Sequence, residues 1–400
     1  MSDRAGQSAR VYLDHAATSF PKPQGVAEAM ARSVLEGGAS PGRGGYAEAV
    51  EAGRVALSAR EAAARLLNAP GAERVAFTLS CTDALNMAIK GVVRRAGRGG
   101  GRTPVVVTTQ NEHNSVLRPL RALEQAGECA VERLACCPAT GRLDPEDLRA
   151  ALRARGGAAL VATHHASNVC GTIQPVKDVA RVCREEGAPL LLDAAQTLGH
   201  VPLDVAALGA ELVAFPGHKG LMGPLGTGGL YVARGFEGRM DPLREGGTGS
   251  RSELDVQPES MPERLECGSA NAPGIAGLGV GIAWVLERGV GALRAHGLEV
   301  SRAFVEGLGG APVRLLGPSD VEARAPVFAV VVEGWSAQEA AAALEAEFGL
   351  LTRAGLHCAP GVHRAMGTFP DGAVRVSFGA FSTVEDARLA ARALAELARG

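Results

Sequence analysis

Aromatic residues are scarce in this chain, only 4% of its 400 residues. Ala, Gly and Arg abound instead, and because alanine fits a helix nearly anywhere, the spacing of apolar residues has to carry the reading. Charge of one sign is also missing: 41 basic residues face 43 acidic ones, a formal net charge of −2. That balance leaves no electrostatic footprint for nucleic acid or an anionic membrane, so a small-molecule substrate is expected. No stretch approaches the ~20 consecutive apolar residues that a transmembrane helix requires. The opening MSDRAGQSARVYLDH has no apolar run that could serve as a secretory signal. A soluble protein of the reducing cytoplasm is therefore expected, with its eight cysteines as thiols. Cys136 and Cys137 are adjacent rather than spaced as a zinc pair, and His164-His165 has no matching second half, so no metal site is expected. Neither a P-loop, nor a dinucleotide fingerprint, nor an internal repeat is present.

What is there is an alternation. Pro23 to Leu35 and Ala47 to Leu67 carry the rhythm of amphipathic helices. Short β-rich runs then alternate with helical stretches: Arg74 to Thr78, Pro104 to Thr109, Ala130 to Leu134, Ala158 to Thr163, Pro189 to Asp193, Leu212 to Phe215 and Gly229 to Val232. This pattern predicts an α/β fold, a mostly parallel sheet of seven strands covered by helices, with catalytic groups beyond the carboxyl ends of the strands. Met240 to Glu263 reads as a long functional loop, and Gly97 to Arg102 as a surface loop. A helix from Pro273 to Arg288 is expected to lead into a small α+β unit. Its strands fall near Val313 to Leu316, Val327 to Val332 and Val374 to Phe378, and its helices at Ser336 to Phe348 and Thr383 to Leu397. The expected division is a large domain over 20–270 and a small one made of 1–19 and 271–400.

Two groups at strand ends point to a cofactor. Lys219 sits in Gly217-His218-Lys219-Gly220, and Asp193 ends the apolar run Pro189 to Leu192. An amine able to form a Schiff base and a carboxylate able to hold a pyridinium nitrogen are the first needs of a pyridoxal phosphate enzyme. A carboxylate at so apolar a strand end is costly unless it meets a positive partner. Gln196 and Asn168 lie at the same rim and carry amide donors, though either amide alone is an ordinary turn or cap residue. Ser80-Cys81-Thr82-Asp83 precedes a helix; it is a plain N-cap or a phosphate site. His113 follows another strand, and is either a structural histidine or a ring that stacks on a pyridine and moves protons. Cys358, in Arg353-Ala354-Gly355-Leu356-His357-Cys358, is placed where a substrate could reach a thiol that a nearby Arg or His would ionise. Cys183 lies within an amphipathic helix and reads as packing.

These motifs together resemble the fold type I pyridoxal phosphate enzymes of the class V aminotransferase group, and within it the cysteine desulfurases. The likeness runs from Tyr12-Leu13-Asp14-His15-Ala16-Ala17-Thr18 through Asn111-Glu112-His113-Asn114-Ser115, Asp193-Ala194-Ala195-Gln196 and Gly217-His218-Lys219 to the Cys358 segment. Its short cysteine loop is similar to that of the second group, which includes selenocysteine lyases. The resemblance implies Lys219 as the Schiff-base lysine, His113 as the stacking acid/base residue, Asp193 as the pyridinium partner, and Gln196 and Asn168 as neighbours of cofactor and substrate. It implies Cys81, Thr82 and His218 at the phosphate, and Ser269 reaching the phosphate of a partner subunit in a homodimer. Arg375 would grip the substrate carboxylate bidentately, with Arg353 and Asn168 nearby, and Cys358 would accept sulfur. Pro216 stands where the family often has Ser or Thr, and supplies neither a hydroxyl nor an N–H.

The expected activity is conversion of L-cysteine to L-alanine, with a persulfide left on Cys358 for a sulfur acceptor, such as one in iron–sulfur cluster assembly. Rival readings are a selenocysteine lyase acting on L-selenocysteine, another lyase, epimerase or aminotransferase of the class, or a non-catalytic sulfur-relay partner.

Overall fold

A computed structural model describes residues 10–399. The chain opens with β1 (Val11–Tyr12), α1 (Val26–Arg32) and α2 (Ala47–Leu67). Strands and helices then alternate: β2 (Val75–Thr78), α3 (Cys81–Gly97), β3 (Val105–Thr109), α4 (Asn114–Gln125), β4 (Ala130–Leu134), α5 (Pro145–Arg155) and β5 (Leu160–His164). There follow α6 (Val176–Glu185), β6 (Leu190–Asp193), α7 (Val205–Leu208), β7 (Leu212–Pro216) and β8 (Gly228–Val232). These strands form one seven-stranded sheet in the order β2-β8-β7-β6-β5-β3-β4. Only β8 runs against its neighbours; the other pairs are parallel.

Alternate residues of each strand serve opposite faces. Val105, Val107, Leu190, Leu192, Val213 and Phe215 enter one core, and Val106, Leu191, Leu212 and Ala214 the other. A sheet covered on both faces needs such unbroken apolar runs. From Met240 to Asn271 the chain forms neither helix nor strand, as its Gly, Pro and charge content predicts.

The second unit contains α9 (Val290–Leu308), β9 (Val313–Leu315), β10 (Val327–Val332), α10 (Ala337–Phe348), β11 (Leu350–Leu351), β12 (Arg353–Gly355), α11 (Pro360–Ala365), β13 (Ala373–Ser377) and α12 (Val384–Leu397), α8 (Ala272–Arg288) preceding it. Its four-stranded antiparallel sheet runs β12-β13-β10-β9, while β1 pairs with β11 and Leu13 enters its core. One expectation needs correction. Helix α8, assigned from sequence to the small unit, lends Ile275, Leu278, Ile282 and Val285 to the core under the large sheet. Small residues permit this: a Cβ on Gly281 would stand 2.5 Å from the Leu221 carbonyl oxygen, just beyond Lys219. Val290 and Leu293 at the start of α9 pack on that same core, and the helix enters the small unit's core from Val300 on. Among the described residues, no single helix is long and apolar enough to cross a membrane.

Candidate active site

The carboxyl edge of the parallel strands surrounds a cavity of about 110 Å³. Strand β6 delivers Asp193, β7 leads through Pro216 into His218 and Lys219, and β5 ends at His164. Gly217 allows the turn to the lysine, because a Cβ there would lie 2.1 Å from Thr227 Oγ1. The N-terminus of α3 brings Cys81 and Thr82 to the wall, and the N-cap of α4 brings His113. Asn168 and Gln196 complete it. Eight residues singled out in the sequence thus share one cavity.

Lys219 is half-buried and lines the cavity. Burial, then the Arg375 charge, lowers its pKa from 10.5 to about 8, against the pull of Cys81 and Asp193. Asp193 is buried, and desolvation raises its pKa against the help of the Ala195 N–H, which donates to Oδ1 at 2.9 Å. Its Oδ1 also accepts from the Cys81 thiol at 3.5 Å, while Oδ2 has no protein donor among the described residues. Burial, then the carboxylate beside it, pushes the Cys81 thiol well up.

His113 caps α4. Its Nδ1 accepts the Ser115 N–H at 3.0 Å and lies 2.8 Å from Ser115 Oγ. Burial, then Lys219 and three arginines, lowers its pKa to about 4, so the ring is neutral near pH 7. With Nδ1 spent as an acceptor, the proton sits on Nε2, which has no protein partner among the described residues. Thr82 Oγ1 joins this chain through Ser115 Oγ at 2.8 Å.

Four expected site residues lie outside this cavity. Arg375 is buried behind Asn168, donating from Nη1 to its carbonyl at 3.0 Å and from Nη2 to Asp14 Oδ1 at 2.5 Å. Arg353 lies on β12, directly opposite Arg375 on the antiparallel β13. Cys358 is exposed in a left-handed pair with His357, at φ 58° and 50°. The backbone holds this turn: Asn114 N–H donates to the Cys358 carbonyl at 2.8 Å, and Asn168 Nδ2 to that of His357 at 2.6 Å. Ser269 lies on a different hollow of about 580 Å³, bordered by exposed Leu57 and Leu79.

Sequence reasoning missed the supports. Asp14, which accepts from Arg375, and Ser115, which meets His113, lie inside two of the resembling motifs. His164, set aside as half of an absent metal site, faces Glu112 Oε1 through Nδ1 at 3.0 Å and Gln174 through Nε2 at 3.0 Å. Ser115 was findable, since a hydroxyl two residues after a capping side chain is a common turn partner. The donor set suits an aromatic ring with a basic nitrogen, a carbonyl and a phosphate: an open carboxylate oxygen, a partly deprotonated amine, a helix N-terminus, and the buried, unpartnered Nδ1 of His218.

The aminotransferase class-V family matches residues 11–389. A probable cysteine desulfurase of Methanothermobacter thermautotrophicus is 32% identical over 398 residues, spanning 97% of this chain and 94% of that protein. Another from Pyrococcus abyssi is 32% identical over 392 residues, with the same coverage. The apo structure of cysteine desulfurase from Thermococcus onnurineus NA1 is similar at a TM-score of 0.89 and 31% identity, over 98% of this chain and 95% of that one. The chain belongs to the aminotransferase class-V family, alongside the cysteine desulfurases within it.

Proposed function

We propose that this chain is a pyridoxal phosphate-dependent cysteine desulfurase, which takes sulfur from L-cysteine, leaves L-alanine and carries the sulfur as a persulfide on Cys358. The observation that carries the reading is the shared cavity of Lys219, its pKa lowered to about 8, and Asp193, with one carboxylate oxygen open. The residues fit the cofactor. Lys219 would hold it through the amine, Asp193 would face the pyridine nitrogen, and Gln196 the ring substituent. The α3 N-terminus at Cys81 and Thr82, with His218, would hold the phosphate. Pro216 borders the same cavity without a hydroxyl, so the helix N-terminus and His218 bear more of that task. When bound, pyridoxal phosphate supplies an electron sink for the carbanion formed beside the substrate carboxylate.

The chain's own groups then have distinct tasks. Arg375, with Arg353 and Asn168, would bind the substrate carboxylate. At neutral pH a usable fraction of Lys219 is unprotonated and able to take the α-proton. His113 keeps a neutral ring whose Nε2–H donates into the cavity. The Cys358 thiolate takes the substrate sulfur: the carbon–sulfur bond breaks, a sulfur–sulfur bond forms at Sγ, and a proton completes alanine.

The reading extends to a cytoplasmic homodimer in which Ser269 approaches the phosphate site of a second copy, and to delivery of sulfur to an acceptor such as the iron–sulfur assembly machinery. Exposed Leu57 and Leu79 around the Ser269 hollow support the dimer.

The test is alanine release from L-cysteine by cofactor-loaded protein, with thiol labelling for the persulfide, beside Cys358→Ala. Alanine and persulfide should both vanish in the variant. A loaded wild-type protein that binds L-cysteine and releases no alanine overturns the reading.

A further inference from the structure

A second groove lies beside the exposed thiol. It encloses about 430 Å³ and is lined by Gln110, Leu117, Arg121, Arg133, Pro360, Gly361 and Arg364. Pro360 is two residues from Cys358, a span of at most ~7 Å of chain. Arg364 follows one helical turn later, about 6 Å along α11. The approach of α11 to the β3–α4 turn is close, since a Cβ on Gly361 would stand 1.7 Å from the Gln110 carbonyl oxygen.

The groove is basic, and its cations are held in place. Arg121 and Arg133 both bind Glu124 Oε2, at 2.8 and 3.1 Å. Arg364 lies over the Phe369 ring at 3.9 Å and has no carboxylate partner among the described residues. One carboxylate therefore serves two of the three guanidiniums and the third has none, on a chain whose net charge is −2, and no acidic side chain lines the groove among the described residues. Leu117 and Pro360 give it an apolar wall, which suits a peptide better than a phosphate backbone.

We propose that this basic groove beside Cys358 seats an acidic segment of the protein that takes up its sulfur. The proposal rests on the desulfurase reading for the identity of the cargo. In the transfer, a thiolate of the bound protein attacks the outer sulfur of the Cys358 persulfide and the bond to Cys358 Sγ breaks. Cys358 leaves as a thiolate and the acceptor carries the new persulfide, with no oxidant or reductant consumed.

The probes are a labelled peptide of five glutamates ending in serine, its five-glutamine counterpart, and a single-stranded RNA hexamer, titrated by fluorescence anisotropy against the cofactor-loaded protein. The glutamate peptide should bind at least about tenfold more tightly than the glutamine one at low salt and lose that advantage in R121E/R364E. The milder R121Q/R364Q should lie between, which separates loss of charge from loss of fold. The same glutamate peptide ending in cysteine should collect sulfur faster than its glutamine counterpart from the wild type only, while alanine release into dithiothreitol stays unchanged in the variants. Equal binding of both peptides, a preference that survives charge reversal, or tighter binding of the RNA overturns the proposal. If no persulfide forms at all, the desulfurase reading fails, and the binding titration still decides the groove.

Discussion

Lys219 and Cys358 are held in opposite ways. The lysine stands just past the end of an interior strand, half-buried on the cavity wall, where desolvation and then the Arg375 charge shift its pKa from 10.5 to about 8. The cysteine lies on a turn fixed by its backbone carbonyl, and its side chain is exposed. The first arrangement suits chemistry that needs a desolvated, fixed amine. The second suits a group that must reach into a site and then present its cargo to another molecule. The two lie on different units, which meet through Asp14, Asn168 and Arg375.

Breaking each half should therefore fail in a different way. Lys219→Ala should lower alanine release by about 10³-fold and abolish the borohydride-fixed attachment of cofactor. Cys358→Ala should lose turnover as completely, yet keep that attachment, read by the mass of the reduced protein. Identical attachment in the two variants would erase the contrast.

The joint between the halves comes next. Arg375 is 1% exposed, and its carboxylate partner is Asp14. Asp14→Ala leaves a buried guanidinium without its counter-charge, and should cost about 3 kcal/mol in urea unfolding. Reading this joint from sequence was not possible, because 361 positions separate its partners and periodicity reports only on neighbours. The strand-end groups were legible for the opposite reason. Asp193 and Lys219 follow apolar runs directly, and the parallel topology carries every such end to one edge. Helix α8 shows the limit between these cases: its pattern gave a helix, but an apolar face does not name the body it packs on, and its glycines let it approach the large unit.

The lysine environment also sets a pH dependence. A lysine whose folded pKa lies below its unfolded value binds fewer protons when folded, so stability rises with pH between the two. In cofactor-free protein the window runs from about 8 to 10.5. Lys219→Met should be more stable than the wild type at pH 7, by about 2–3 kcal/mol. That advantage should be present below pH 8 and shrink as pH rises towards 10.5, measured by urea unfolding at pH 7 and 9.5. A constant advantage would mean that the amine is not desolvated.

The smallest effect isolates the cysteine turn. Asn114 is the first residue of α4, where a helix asks nothing of the backbone N–H and proline is well tolerated. His113 before it, at φ −64° and ψ 151°, already has the extended conformation that a following proline demands. The N–H of Asn114 is spent on the Cys358 carbonyl instead. Asn114→Pro should thus remove the tether and spare the helix, with Asn114→Ala as the control that keeps it. One hydrogen bond of about 1 kcal/mol corresponds to roughly fivefold. Cys358 should alkylate faster with iodoacetamide by about that factor, while the cofactor spectrum at Lys219 stays unchanged. An equal change in the alanine control would assign the effect to the side chain, and a changed spectrum would mean that the two halves are not separable at this turn.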